Sequence, residues 1–341
     1  MKNIYGLTHK ELIEYLSNIG EKSYKAEQIY EWLYKKKITT FSQMTNLKKE
    51  LIGILNNEFT LEMVKLVSKQ KSPDTIKYLF KLFDNNTIEA VLMKHDYGNS
   101  LCISSQVGCS MGCTFCASGS AGVVRNLEVE EMVCQILFVE SEEDIRISSV
   151  VVMGIGEPFN NYDNVMAFIR IINEAKGLAI GARHITVSTC GIIPMIDKFG
   201  AEGLQVNLAL SLHAPSDKIR NTLMPINKVY NVREVINSIK KYIAKTNRRV
   251  AIEYVMIEGV NDRQEDALEL VRLLKGLNIY INLIPYNETP LFPYKQSSKD
   301  TLRKFYDTIK KSNIDVTIRK EYGRFIEAAC GMLRSSRKKD N

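Results

Sequence analysis

From the amino terminus to residue 56 the apolar residues recur every three or four positions, in segments 10–19, 25–35 and 44–56. That spacing predicts three short helices separated by polar or glycine-containing joints. Between residues 59 and 93 the period shortens towards two, and segments 75–82 and 87–93 read as strands. Beyond them, apolar or β-branched runs at 101–104, 147–153, 184–188, 206–212, 249–256, 280–285 and 315–319 predict further strands. Amphipathic stretches at 129–142, 163–174, 232–244, 263–274 and 300–311 predict helices between most of them. About six βα units in succession imply an α/β fold on a parallel sheet, as an open or partial barrel or a doubly wound sheet. Chemistry in such folds gathers beyond the carboxyl ends of the strands.

Composition adds limits. At roughly 100–200 residues per domain, 341 residues allow about two domains. With 45% hydrophobic and 25% charged residues, the chain is neither disordered nor fibrous. No apolar run approaches the roughly 18 residues of a membrane span, and residues 1–14 lack the apolar core of a signal peptide. A cytosolic protein is expected, with no membrane partner. A monomer is the default, since no coiled-coil heptad is visible. The balance of 46 Lys+Arg against 39 Asp+Glu, net +7, permits a phosphate-rich partner without requiring one.

The seven cysteines change the picture more. Structural disulfides are rare in a reducing cytosol, so clustered thiols there point to metal or catalysis. Gly108-Cys-Ser-Met-Gly-Cys-Thr-Phe-Cys116 places Cys109, Cys113 and Cys116 at C-x3-C-x2-C spacing after the first strand of the βα series. A structural zinc site wants four protein ligands, so zinc would need Cys102 as a fourth. A 4Fe–4S cluster held by three thiols would instead leave one iron open to a small ligand. Met153-Gly-Ile-Gly-Glu-Pro158 ends an apolar strand with glycines that permit close approach and a carboxylate, Glu157, that can accept from an ammonium. Ser188, the Ser211-Leu212-His213 run and Asn287 also fall at or just beyond strand ends.

The C-x3-C-x2-C motif with an aromatic before its last cysteine resembles that of the radical S-adenosylmethionine (SAM) enzymes. Within them the chain is similar to the RlmN branch of the RlmN/Cfr family. The resemblance is carried by Leu101-Cys-Ile-Ser-Ser-Gln-Val-Gly-Cys, Gly154-Ile-Gly-Glu-Pro, Ser188-Thr-Cys-Gly-Ile-Ile-Pro and Leu210-Ser-Leu-His-Ala-Pro. Leu223-Met-Pro-Ile-Asn, Asn282-Leu-Ile-Pro-Tyr-Asn and Ala328-Ala-Cys-Gly extend it in the same order to the carboxyl end. It implies a partial (β/α)6 radical SAM barrel over residues 95–325. A helical accessory domain (1–58), a strand-rich connector (59–94) and a carboxyl-terminal segment (326–341) would complete the chain.

The same resemblance implies the site. Cys109, Cys113 and Cys116 would hold a 4Fe–4S cluster whose open iron binds SAM. Gly156, Glu157, Ser188, Ser211, Leu212, His213 and Asn287 would contact SAM, Glu157 through the amino group. Cys330 would carry a methyl group, Cys102 would resolve the covalent intermediate through a transient disulfide with Cys330, and Glu89 would be the proton acceptor. The reaction implied is methylation of adenosine C2 in 23S rRNA and tRNA, consuming two SAM per turnover and drawing electrons from a donor such as flavodoxin or ferredoxin. C2 lies between two ring nitrogens and is electron-poor, so direct attack on the SAM methyl is closed, whereas a nucleophilic thiolate can make that attack. Cys134 falls in a helical pattern and reads as core; Cys190 is assigned no role.

Two points stay open. Val107 and Pro158 stand where Cfr-type sequences, which methylate C8, tend to carry Cys and Ala, and this favours C2. Lys35-Lys-Lys beside Trp32 and Tyr34 offers cations and aromatic faces to RNA, but Tyr30, Leu33 and Tyr34 read equally as the core stripe of a helix.

Overall fold

The computed structural model describes residues 1–120, 122–319 and 331–333. At the amino end lie α1 (His9–Asn18), α2 (Tyr24–Tyr30) and α3 (Lys49–Glu58). Helix α1 starts where Thr8 and Glu11 satisfy each other's main-chain N–H groups, at 3.3 and 2.8 Å. The helix expected over 25–35 changes character after Tyr30, continuing as one wide π turn over Glu31–Lys35. Tyr30 and Tyr34 pack 4.8 Å apart and are almost fully buried, so the aromatic stripe faces the core. Trp32 instead carries Lys36 over its ring at 3.5 Å.

Ten strands form one sheet in strict chain order. They are β1 (Lys65–Lys71), β2 (Thr75–Lys81), β3 (Thr87–His95), β4 (Gly98–Cys102), β5 (Ile147–Val152), β6 (Ile185–Thr189), β7 (Asn207–Ser211), β8 (Val250–Met256), β9 (Ile279–Pro285) and β10 (Asp315–Ile318). Strands β4 to β10 are parallel; β1 to β4 are antiparallel neighbours. The segment 59–94 is therefore more than a connector. Its strands hydrogen-bond directly into the barrel sheet, because β3 covers the edge that β4 would otherwise expose.

Each of the six strands β4 to β9 is followed by helix before the next parallel strand. These helices are α4 (Val129–Glu143), α5 (Tyr162–Asn173), α6 (Ile193–Phe199), α7 (Asp217–Leu223), α8 (Val232–Thr246), α9 (Gln264–Leu274) and α10 (Lys299–Lys311). The short helices α6 and α7 escape periodicity because seven residues make only two turns. The sheet is a partial barrel that does not close, β10 and β1 being its two edges among the described residues. One continuous apolar cluster joins the helices, the sheet and the amino-terminal unit, with Cys134 inside it. Among the described residues no helix is long and apolar enough to cross a membrane.

Candidate active site

After β4 the chain makes a two-stranded ribbon, Gln106–Gly108 against Val123–Asn126, and the cysteine loop hangs between its arms. Gly108 permits this: its φ is +75°, and a Cβ there would stand 2.0 Å from the Gly122 carbonyl oxygen. Cys109, Cys113 and Cys116 line a cleft of about 970 Å³ over the carboxyl ends of the parallel strands. Gly156, Glu157, Ser188, Ser211, His213 and Asn287 line the same cleft. Leu212 does not: its side chain is fully buried in the main core. Its main-chain N–H donates to the Glu253 carbonyl at 3.1 Å and its carbonyl accepts from Arg220 Nε at 3.2 Å.

Glu157 is the anionic anchor of the cleft. Its carboxylate accepts from the N–H groups of Cys190 (2.8 Å) and Phe159 (3.1 Å), and its own N–H is held by Gln106 Oε1 at 2.8 Å. Burial pushes its carboxyl above the ordinary range, and those N–H groups pull back towards the ionised form. A ligand ammonium would complete that compensation. Ser188 and Ser211 face each other at 3.2 Å from neighbouring strands, so their hydroxyls can turn together towards a ligand. His213, buried against the Phe115 ring at 5.0 Å, accepts from Val255 N–H through Nδ1 at 3.1 Å. Burial first, and the Arg220 charge second, hold its pKa down to about 3, so the ring is neutral.

Some contributors carry no motif of their own. Arg220 is wholly buried and donates to the carbonyls of Cys190 and Leu212 and to Asn227 Oδ1 at 3.0 Å, tying the loops after β6 and β7 together. Cys190 lines the cleft and supplies Glu157 with a main-chain donor. Arg220, in a helix too short to show a period, gave no signal, whereas Gln106 and Cys190 stand inside motifs that assigned them no role.

Glu89 and Cys102 lie to one side. The pairing Val91↔Cys102 and the alternation of β3 put Glu89, Val91 and Cys102 on one face of the sheet. Val91, Cys102, Cys116 and Gly331 line a smaller cavity of about 450 Å³. Gly331 also lines the main cleft, and its carbonyl accepts from Ala117 N–H at 2.7 Å. Cys330 lies outside the described residues, and so does the disulfide expected between it and Cys102. No two cysteines of the described residues are joined.

Among the described residues no group of three or more His, Cys, Asp or Glu side chains is arranged to hold a metal ion. Three half-buried thiols lining one cleft suit a four-iron cluster that would be held through three of its irons. Burial and mutual repulsion push Cys109 up to about 11 and Cys113 well above the usual thiol range, so cationic iron would have to displace their protons.

Residues 103–271 match the radical SAM superfamily model, and residues 2–61 match the ribosomal RNA large subunit methyltransferase N-terminal domain. A probable dual-specificity RNA methyltransferase RlmN of Acholeplasma laidlawii is 52% identical over 333 residues, covering 97% of this chain and 98% of that protein. The protein of the same name from Bacillus licheniformis is 51% identical, covering 99% and 95%. The chain belongs to the RlmN family of radical SAM methyltransferases. A crystal structure of a radical SAM methyltransferase from Sphaerobacter thermophilus superposes with a TM-score of 0.92 at 41% identity, covering 98% of this chain and 99% of that one. The RlmN-family chain is thus an enzyme of SAM-dependent methylation built on the radical SAM partial barrel, and the family implies a 4Fe–4S cluster and SAM as its cofactors.

Proposed function

We propose that this enzyme methylates C2 of adenosine in 23S rRNA and in tRNA, with Cys330 as the methyl carrier. One observation carries the reading: Gly331, the neighbour of Cys330, lines both the cleft of Cys109, Cys113 and Cys116 and the cavity of Cys102. The cofactor cleft and the cavity of the resolving thiol thus meet at Gly331, as a carrier adjoining it requires. Cys109, Cys113 and Cys116 would hold the cluster, and Glu157 would take the amino group of SAM in a salt-bridged hydrogen bond. When bound, the reduced cluster supplies the electron that cleaves SAM to a 5′-deoxyadenosyl radical.

The chain's own residues do the rest. The Cys330 thiolate takes a methyl group from one SAM, its C–S bond forming as the sulfonium bond breaks. One S-methyl hydrogen atom would pass to the radical formed from SAM, the carbon would add to C2, and the adduct would give up one electron, the oxidised cluster being its acceptor; the Glu89 carboxylate then takes the C2 proton and the C–H pair restores the ring. Cys102 then attacks the Cys330 sulfur, an S–S bond forms, and the released carbon takes a proton to become the methyl group. Two SAM are consumed per turnover, and the disulfide needs a thiol reductant before the next. An external flavodoxin or ferredoxin would deliver the electron. The target base must leave its stack to present C2, which favours loops.

The test is nucleoside mass spectrometry after anaerobic turnover of the iron- and sulfide-reconstituted enzyme with SAM, a reductant and a 23S rRNA fragment or a tRNA. 2-Methyladenosine is expected, and its loss in Cys330→Ala would mark the carrier. An 8-methyladenosine product would move the regiochemistry to C8, and no methylated adenosine from a SAM-cleaving enzyme would refute the substrate.

A further inference from the structure

We infer that Lys77 is a positioning residue for Glu89, holding its carboxylate charged and fixed beside the reacting base. The inference rests on the reading of Glu89 as the proton acceptor.

Strands β2 and β3 pair antiparallel with Leu79 opposite Glu89 and Lys77 opposite Val91, which makes Lys77 and Glu89 diagonal neighbours on one face. That face also carries Cys102, through its pairing with Val91. Lys77 Nζ lies 3.2 Å from Glu89 Oε1, with only 9% and 8% of the two side chains exposed. The backbone is pinned as well: Ser104 Oγ donates to the Glu89 main-chain carbonyl at 2.6 Å. Glu89 is thereby held level with the residue two beyond Cys102, on the carboxyl side of β4.

A carboxyl group taken out of water drifts towards its neutral form, and a neutral carboxyl cannot take a proton. A contacting ammonium reverses that drift. Arg319, which lines the cavity of Cys102, stands 3.7 Å from Glu253 on the barrel side. Fold stability gives little reason to bury such a pair, because apolar residues of the same volume often serve as well. The pair is buried on the sheet face that also carries Cys102, and that placement points to chemistry. In the step itself the adduct, having given up one electron, loses its C2 proton to Glu89, the C–H electron pair restores the ring, and Lys77 donates to the carboxyl oxygen.

The experiment uses the full-length reconstituted enzyme and its RNA under single turnover, comparing Lys77→Met, Lys77→Gln, Lys77→Arg and Glu89→Gln. SAM cleavage, the covalent RNA–protein adduct on a denaturing gel, 2-methyladenosine and the melting curve are all read. Lys77→Met should melt as a folded protein, cleave SAM normally and accumulate adduct. Its product release should fall by about a hundredfold, within the range for a general base put out of action. In a parallel multiple-turnover assay the RNA KM should hold while kcat falls, and Lys77→Arg should restore most of the rate. Normal release from Lys77→Met or Lys77→Gln while Glu89→Gln stalls as adduct would overturn the inference alone. Normal release from Glu89→Gln would overturn the proton-acceptor reading and this inference with it. Unfolding of both Lys77→Met and Lys77→Gln would make the pair structural, which also overturns the inference.

Discussion

His213 sits in left-handed backbone, φ 58°, on the cleft wall, and its neutral ring is set by burial. Its pKa drops from the usual 6.5 to about 3 on folding, so below pH 6.5 the unfolded chain binds a proton that the native state refuses. Stability is therefore lost as pH falls through that window, by about 2 kcal/mol at pH 5 from this one group. His213→Asn, which suits the left-handed backbone, should flatten the fall in melting temperature between pH 7 and pH 5. An unchanged slope would mean another group carries it. Glu157 has the opposite sense, a carboxyl raised by burial, and must be ionised to hold an ammonium. SAM affinity measured by calorimetry should fall as pH drops through its raised pKa. Glu157→Gln should cost about tenfold or more in affinity and remove that dependence.

The cysteine loop works only as well as the ribbon that presents it. Any side chain at position 108 meets the Gly122 carbonyl while forced to a positive φ. Gly108→Ala should thus leave the barrel folded by circular dichroism but lower the iron bound on reconstitution; full iron content would show that the ribbon yields. Arg220 serves the loops on the far wall, where its guanidinium satisfies two buried carbonyls. Lys cannot span several acceptors in the same plane. Removing the donors leaves buried acceptors unmade at about 1–3 kcal/mol each, so Arg220→Met should lower the melting temperature and weaken SAM binding together. A lower melting temperature with unchanged SAM binding would separate the two.

Across the whole molecule, one sheet passes from the antiparallel strands β1–β3 into the parallel barrel. Leu92 and Leu101 are opposite each other and wholly buried at that junction. A fragment beginning at residue 95 should therefore expose the edge of β4 and aggregate, as read by light scattering. A soluble, cooperatively melting fragment would show that the barrel is independent.

The strands, the order of the βα units and the grouping of Cys109, Cys113 and Cys116 were legible in the chain because periodicity and spacing are local. Gly156, Glu157, Ser188, Ser211, His213 and Asn287 were placed by motif, and folding brings them around one cleft through the shared carboxyl ends of parallel strands. Leu212 shows the limit, since a motif names a position and only packing decides which way its side chain turns. The π turn after Tyr30, the joining of β1–β3 to the barrel and the Lys77–Glu89 pair belong to tertiary structure alone. Each depends on a partner from elsewhere in the chain: a packed ring, a strand edge in need of cover, a charge brought opposite by register. The sequence by itself determined most of the elements and the chemistry they carry; the fold decided which of those groups meet, because a local pattern selects the face a side chain takes and only the pairing and packing of elements bring groups from different strands into contact.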